Sequence, residues 1–267
     1  MKHAAREWLA RGEPAVMVEV LATQGSAPRE AGTRMLVSAA HALGTIGGGH
    51  LELEAIDLAR RSLPMGPGDD FEQRYALGPT LGQCCGGVVT LRFAALTESV
   101  LTRWPEQAPL FHLQLYGAGH VGRAIVRLLS TLPCSVQWID EREHEFPSSW
   151  PQGWPPQVER LCVDAVEAEV ANAPSGACYL VLTHRHDLDL RITEAILRRG
   201  DFRYFGLIGS KTKRERFIHR LQAQGVAQQA IDRMTCPIGV PGIEGKAPEV
   251  IAMAVVAQLL QTGGGPR

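Results

Sequence analysis

From Ala15 to Ala22 the chain is apolar and rich in Val, the pattern of a buried strand, and it runs into the turn-forming Thr23-Gln24-Gly25-Ser26-Ala27-Pro28-Arg29. Met35 to Ser38 and Ala42 to Ile46 predict two short strands about a tight turn at Ala40-His41. Gly47-Gly48-Gly49 then opens a helix from Leu51 to about Ser62, with Leu51, Ala55, Leu58 and Ala59 on one face. Glu52 and Glu54 fall in its first turn, where negative charge suits the helix dipole. Phe71 to Ala76 and Val88 to Phe93 predict two more strands, joined by a loop containing Cys84-Cys85. These elements describe an α+β domain over residues 1–96.

Residues 97–110 carry charges, a Trp and two prolines without a period, which predicts a linker. Beyond it the pattern changes. A strand through Tyr116 meets the turn Gly117-Ala118-Gly119-His120-Val121-Gly122, and a helix follows with Val121, Ala124, Ile125, Leu128, Leu129 and Leu132 on one face. Strands at Ser135 to Ile139, Val158 to Val163, Ala177 to Leu182 and Tyr204 to Ile208 alternate with helices at Asp189 to Arg199, Ser210 to Gln224 and Pro248 to Gln261. Strand and helix in alternation predict a Rossmann-like, doubly wound parallel sheet over residues 111–267, so the chain as a whole is α/β. Glu143 to Gln157, with four prolines and two Trp residues, interrupts the pattern as a surface excursion that would expose Trp150 and Trp154.

Charge and composition narrow the function classes. The 27 basic and 28 acidic residues give a net charge of -1, which supplies no footprint for a phosphate backbone, so no nucleic-acid partner is expected. The amino-terminal residues are charged where a signal peptide is apolar, and the longest apolar segment, near Val250 to Leu260, is too short to span a bilayer. A cytoplasmic protein without a membrane partner is the expectation. Its six cysteines would then be reduced, with Cys134, Cys162 and Cys178 acting as small buried hydrophobes.

Five segments carry candidate chemistry. In the Gly117 turn, Gly117, Gly119 and Gly122 would let the backbone approach a pyrophosphate at a helix N-terminus, and Asp140, 23 residues beyond Gly117, would accept hydrogen bonds from a ribose. Asp140 favours NAD-like ligands, Arg142 weakens that preference, and the turn serves equally as plain Rossmann geometry. Thr183-His184-Arg185-His186-Asp187 follows a strand at the ligand-binding edge of the sheet, where His184 and His186 could share a metal or simply cap the next helix. Cys84-Cys85-Gly86-Gly87 presents soft, nucleophilic sulfur among exposed N–H groups, and Gly47-Gly48-Gly49 ends at a second helix N-terminus suited to phosphate, with Arg29 and Arg34 as counter-charge. Lys211 to Arg216 reads as a solvated basic turn or as a contact for an acidic ligand.

These motifs, in this order, resemble one family. Ala22-Thr23-Gln24-Gly25-Ser26-Ala27-Pro28-Arg29, Gly44-Thr45-Ile46-Gly47-Gly48-Gly49-His50-Leu51-Glu52 and Gly82-Gln83-Cys84-Cys85-Gly86-Gly87 are similar to the N-terminal domain of the xanthine dehydrogenase accessory proteins, the XdhC/CoxI family. The Gly117 turn, Thr183 to Asp189, Gly206-Leu207-Ile208-Gly209-Ser210-Lys211 and Gly245-Lys246-Ala247-Pro248-Glu249 resemble that family's Rossmann domain. The resemblance implies a molybdenum cofactor chaperone. Such a protein binds molybdopterin, protects it, supports its sulfuration by a cysteine desulfurase, and inserts it into the apo molybdenum subunit of xanthine dehydrogenase. Cofactor biosynthesis proteins would supply it, and a homodimer is expected from the family.

By the same resemblance Cys85 would hold the cofactor through molybdenum, with Cys84 beside it and Gly86, Gly87, Gly47, Gly48, Gly49 and Glu52 around it. Arg185 departs from the pattern, standing where relatives often carry an acid, and Pro241 to Gly245 expands a segment that is more compact in other branches. Two other functions remain open. One is an NAD(P)- or flavin-dependent oxidoreductase using the Gly117 turn with Cys85 as its thiol, and the other a metal-dependent hydrolase on His184, His186 and Asp187.

Overall fold

The computed structural model of the protein describes residues 1–64, 66, 68–78, 86–105, 108–150 and 153–263. The chain divides into two units, Met1–Glu106 and Gln107–Arg267.

In the first unit β1 (Ala15–Gln24) lies at the centre of an antiparallel sheet with β2 (Arg34–Ser38), β3 (Ala42–Gly44), β4 (Phe71–Ala76) and β5 (Val88–Ala95), in the order β3-β2-β1-β5-β4. Strict alternation along β1 sorts its side chains to two faces. Val16, Val18 and Val20 pack with Leu91 and Phe93 against Leu51, Ala55 and Ala59 of α2 (Gly49–Arg61). On the other face Ala15 and Met17 join Leu36 and Ala94 beneath Ala5 and Trp8 of α1 (Lys2–Ala10) and Val100 and Leu101 of α3 (Glu98–Arg103). Helices therefore cover both faces of the sheet.

Two of those helices were not predicted. Segment 97–110, expected as a linker, contains α3, whose N-cap Thr97 accepts a hydrogen bond from the Val100 N–H at 3.2 Å. With six residues α3 is too short to show a helical period, and only its packing reveals that Val100, Leu101 and Trp104 are core. The charged start of α1 likewise hides Ala5 and Trp8, which are buried.

The second unit has a parallel sheet of β6 (His112–Tyr116), β7 (Ser135–Asp140), β8 (Val158–Cys162), β9 (Cys178–Val181), β10 (Tyr204–Leu207) and β11 (Met234–Thr235). Its order, β11-β10-β9-β6-β7-β8, reverses direction between β6 and β9, the switch point of a Rossmann sheet. One face is covered by α4 (His120–Leu129) and α8 (Pro248–Gly263), the other by α5 (His186–Arg199), α6 (Lys211–Ala223) and α7 (Gln228–Asp232). The sequence predicts no helix at two of the crossovers, and among the described residues these hold 3-10 structure, a turn at Glu143–Glu145 between β7 and β8 and a helix at Val166–Asn172 between β8 and β9.

The Pro-rich excursion is not an exposed display of tryptophans. Trp150 and Trp154 are partly buried against the core and meet each other edge-to-face, 5.3 Å between centroids, and Trp154 Nε1 donates to the Val158 carbonyl at 2.9 Å. Cys134 and Cys178 are buried as expected, whereas Cys162, last residue of the edge strand β8, is exposed.

Candidate functional site

At one end of the antiparallel sheet, β1 finishes beside the start of β5, with Gln24 opposite Val88, and β4 finishes there too, with Ala76 opposite Val88. The chain entering β5 passes through Gly86 and Gly87, and the Leu77 N–H donates to the Gly87 carbonyl at 2.8 Å. Gly87 touches the turn that follows β1. A β-carbon on it would lie 2.6 Å from the Gln24 carbonyl oxygen, and one on Gly25, at φ +72°, would lie 3.3 Å from the Gly87 Cα. The Gly47 turn joins the same cluster, since a β-carbon there would meet the Pro28 ring at 2.5 Å. Three separate sequence motifs thus meet at one sheet end. Cys84 and Cys85 lie outside the described residues, immediately before Gly86.

Glu52 organises the Gly47 turn. Its Oε2 accepts the Ile46 and Gly48 N–H groups, each at 3.0 Å, and the Thr45 hydroxyl. A carboxylate reaching back to the N-cap N–H is how a helix start is satisfied when its cap, here Gly48, has no side chain. Gly47, Gly48 and Gly49 all take positive φ, at 127°, 75° and 65°, so the turn requires residues without a β-carbon. Around Gly48 and Gly86 no atom of the described residues lies within 4 Å of the β-carbon position. Arg29 is exposed, while Arg34 is committed to an ion pair with Glu19.

In the Rossmann unit the three glycines have three different jobs. A β-carbon on Gly117 would strike the Leu182 carbonyl oxygen at 2.4 Å, and one on Gly122 the Gly117 carbonyl oxygen at 2.2 Å. Gly119 faces open space at the N-terminus of α4, where a phosphate would approach. Asp140 does something other than wait for a ribose. Its Oδ2 accepts the Ala118 N–H of the turn at 2.7 Å and Arg142 Nη2 at 3.0 Å, and its Oδ1 accepts Arg142 N and Nε, both at 3.0 Å. Burial opposes ionisation of Asp140, but the Arg142 guanidinium and the two N–H donors outweigh it and hold the carboxyl below its usual range. The turn is thus open at Gly119, while the carboxylate expected to receive a ribose is already engaged.

After β9, Thr183 opens the segment with the two histidines. His184, Arg185, His186 and Asp187 are exposed, and Arg185 binds Asp187 at 2.6 Å and Glu141 at 3.4 Å. No group of three His, Cys, Asp or Glu placed to hold a metal occurs among the described residues. The buried chemistry lies just beyond. Asp189, fully buried, accepts the Thr183 N–H at 3.1 Å and hydroxyl at 2.7 Å through Oδ1, and Lys213 Nζ at 2.6 Å through Oδ2. Lys213 also donates to the Ile208 carbonyl at 2.9 Å, and Gly209 makes room, since a β-carbon there would sit 2.5 Å from Lys213 Cδ. The basic turn 211–216 is therefore not solvated throughout, because Lys213 turns inward. The signal was an acid in phase with Thr193 and Ile196 on the apolar face of α5.

A family model for the XdhC Rossmann domain matches residues 113–259, and a model for the XdhC and CoxI family matches residues 8–75. Over 250 residues the chain is 27% identical to the uncharacterized protein YqeB of Escherichia coli strain K12, covering 93% of this chain and 43% of that protein's length. A crystal structure of a xanthine dehydrogenase from Bacillus halodurans matches with a TM-score of 0.75, covering 98% of this chain and 95% of that one at 19% identity, a likeness of fold. With one model spanning more than half of the 267 residues and the other lying in the first unit, this chain belongs to the XdhC and CoxI family.

Proposed function

We propose that the protein is an accessory factor for xanthine dehydrogenase that carries the molybdenum cofactor. Cys85 holds the cofactor through molybdenum, with Cys84 beside it, because a thiolate suits a soft metal that already has sulfur ligands. The N–H groups of Gly86, Gly87, Gly47, Gly48 and Gly49 receive the pterin phosphate, and Glu52 acts indirectly, by holding the Gly47 turn. The protein protects its cargo in the cytoplasm, presents it to a cysteine desulfurase for sulfuration, and passes it from the biosynthesis proteins to the apo molybdenum subunit, working as a homodimer. The observation that carries this reading is the meeting of the Gly25, Gly47 and Gly87 turns at the sheet end from which the cysteine loop departs.

Loading the protein with molybdenum cofactor and comparing bound molybdenum and pterin in wild type and Cys85→Ala tests the site. A large loss in the variant is expected, and equal loading would reject the assignment. Activation of cofactor-free xanthine dehydrogenase by the loaded protein tests delivery, and no gain over free cofactor would count against it.

A second reading draws on the open face of Gly119, which favours a phosphate-bearing nucleotide, NAD or FAD among them, at the start of α4. On that reading the protein is an oxidoreductase, and steady NADH consumption by the purified chain would distinguish it from a carrier.

A further inference from the structure

We propose that the first unit carries a separate oxyanion site, in the cavity between the α3 end of its sheet and the row Arg34, Glu19, Arg92. The proposal is independent of the molybdenum reading, because it uses the opposite face of the sheet from α2.

The row follows from strand register. Glu19 of β1 stands opposite Arg34 of β2 and opposite Arg92 of β5, and facing residues in antiparallel strands point to the same side. That side also bears Met17 and Ala94, the face beneath α1 and α3. Arg103, Trp104 and Val100 close the cavity from above, leaving about 180 Å³ of space. Water occupies about 30 Å³ per molecule in the liquid, so there is room for a phosphate or carboxylate group with water around it.

The charges do not balance. Three guanidinium groups and one carboxylate line the cavity, and Glu19 is spent on Arg34, both side chains being mostly buried at 13% and 15% exposed. Asp70 engages Arg92 through one Nη, and among the described residues Arg103 Nε reaches the Ser99 carbonyl at 3.3 Å. Arg34 Nε is buried without a hydrogen-bond partner among the described residues. A buried N–H left unpaired costs free energy unless something accepts from it, and the planar guanidinium fork matches a carboxylate or phosphate. Trp104, with the Arg34 guanidinium 5.6 Å from its ring centroid, adds an apolar wall, so the ligand is a small molecule with an anionic head and an apolar or planar body. Lys2 Nζ donates to the Trp104 carbonyl at 2.8 Å, tying α1 to this roof.

Titration calorimetry of the full chain with inorganic phosphate and, separately, acetate tests the site. Saturable one-to-one binding of either is expected, with phosphate alone assigning a phosphoryl head and acetate alone a carboxylate. Arg103→Gln removes an exposed-edge guanidinium and should weaken binding about tenfold without altering Tm, the loss expected for one charge-assisted hydrogen bond. The double variant Glu19→Gln/Arg34→Gln keeps a neutral pair in place of the ion pair and should also weaken binding. No saturable heat with either probe, or equal affinity in wild type and both variants, would overturn the proposal.

Discussion

A β-carbon on Gly87 would lie 2.3 Å from the carbonyl oxygen of Ser26, so these two backbones touch where no other residue type fits. Replacing Gly87 by Ala should destabilise the first unit by about 1–3 kcal/mol, the usual cost of forcing atoms into a packed contact. Gly86→Ala meets no atom of the described residues within 4 Å and should leave the urea midpoint unchanged. If the two variants unfold alike, Gly87 does not anchor the turn.

The Gly117 turn offers a parallel contrast. Gly122→Ala drives a β-carbon onto the Gly117 carbonyl and should cost about 1–3 kcal/mol, whereas Gly119→Ala should be neutral for stability. Because Gly119 is where a phosphate would approach, its variant is also the one to assay for any nucleotide binding, by fluorescence titration with NADH.

Asp140 predicts a pH dependence. Its folded carboxyl titrates below the unfolded value of about 3.9, so the stabilisation is complete above that value and fades as pH falls through the folded one. Wild type should exceed Asp140→Asn in Tm by a constant margin near neutrality, and the margin should close below about pH 4. A margin unchanged at pH 3 would show that Asp140 acts by shape alone.

Removing one partner of the Asp189–Lys213 pair strands the other. Lys213→Met leaves a fully buried carboxylate without its cation and should cost about 3–5 kcal/mol. Combining it with Asp189→Leu should cost clearly less than the two single losses added together. Chemical denaturation of the three variants gives the coupling directly, and simple additivity would deny the pair.

Thiol labelling should separate the cysteines. Burial pushes the Cys134 and Cys178 thiols up to about 11, so neither should react with a disulfide reagent at pH 8 in the folded protein. In a Cys162→Ser background, which removes the exposed thiol of β8, fast labelling that disappears in a Cys84→Ser/Cys85→Ser variant would support the thiolate role proposed for that loop. Unchanged fast labelling would place the reactive sulfur elsewhere.

Much of the architecture was legible in local pattern. The Val-rich run of β1, the apolar stripe of α4 and the glycine turn between β6 and α4 each follow from periods of two or 3.6 residues and from φ values that only Gly takes easily. Short helices were not legible. Six residues of α3 and five of α7 complete too few turns to display a period, and their burial comes from neighbours distant in sequence.

The same division runs through the candidate sites. Local sequence determined that Gly47 to Gly49, Gly86 to Gly87 and Gly117 to Gly122 would be turns, because a missing β-carbon is a property of one residue. Only the tertiary structure decided what those turns touch. It set Gly25 against Gly87, gave Asp140 to Ala118 and Arg142, and drew Lys213 inward to Asp189. Hydrogen bonds and ion pairs depend on distances of about 3 Å between atoms, and those distances exist only after strands and helices far apart in the chain have packed.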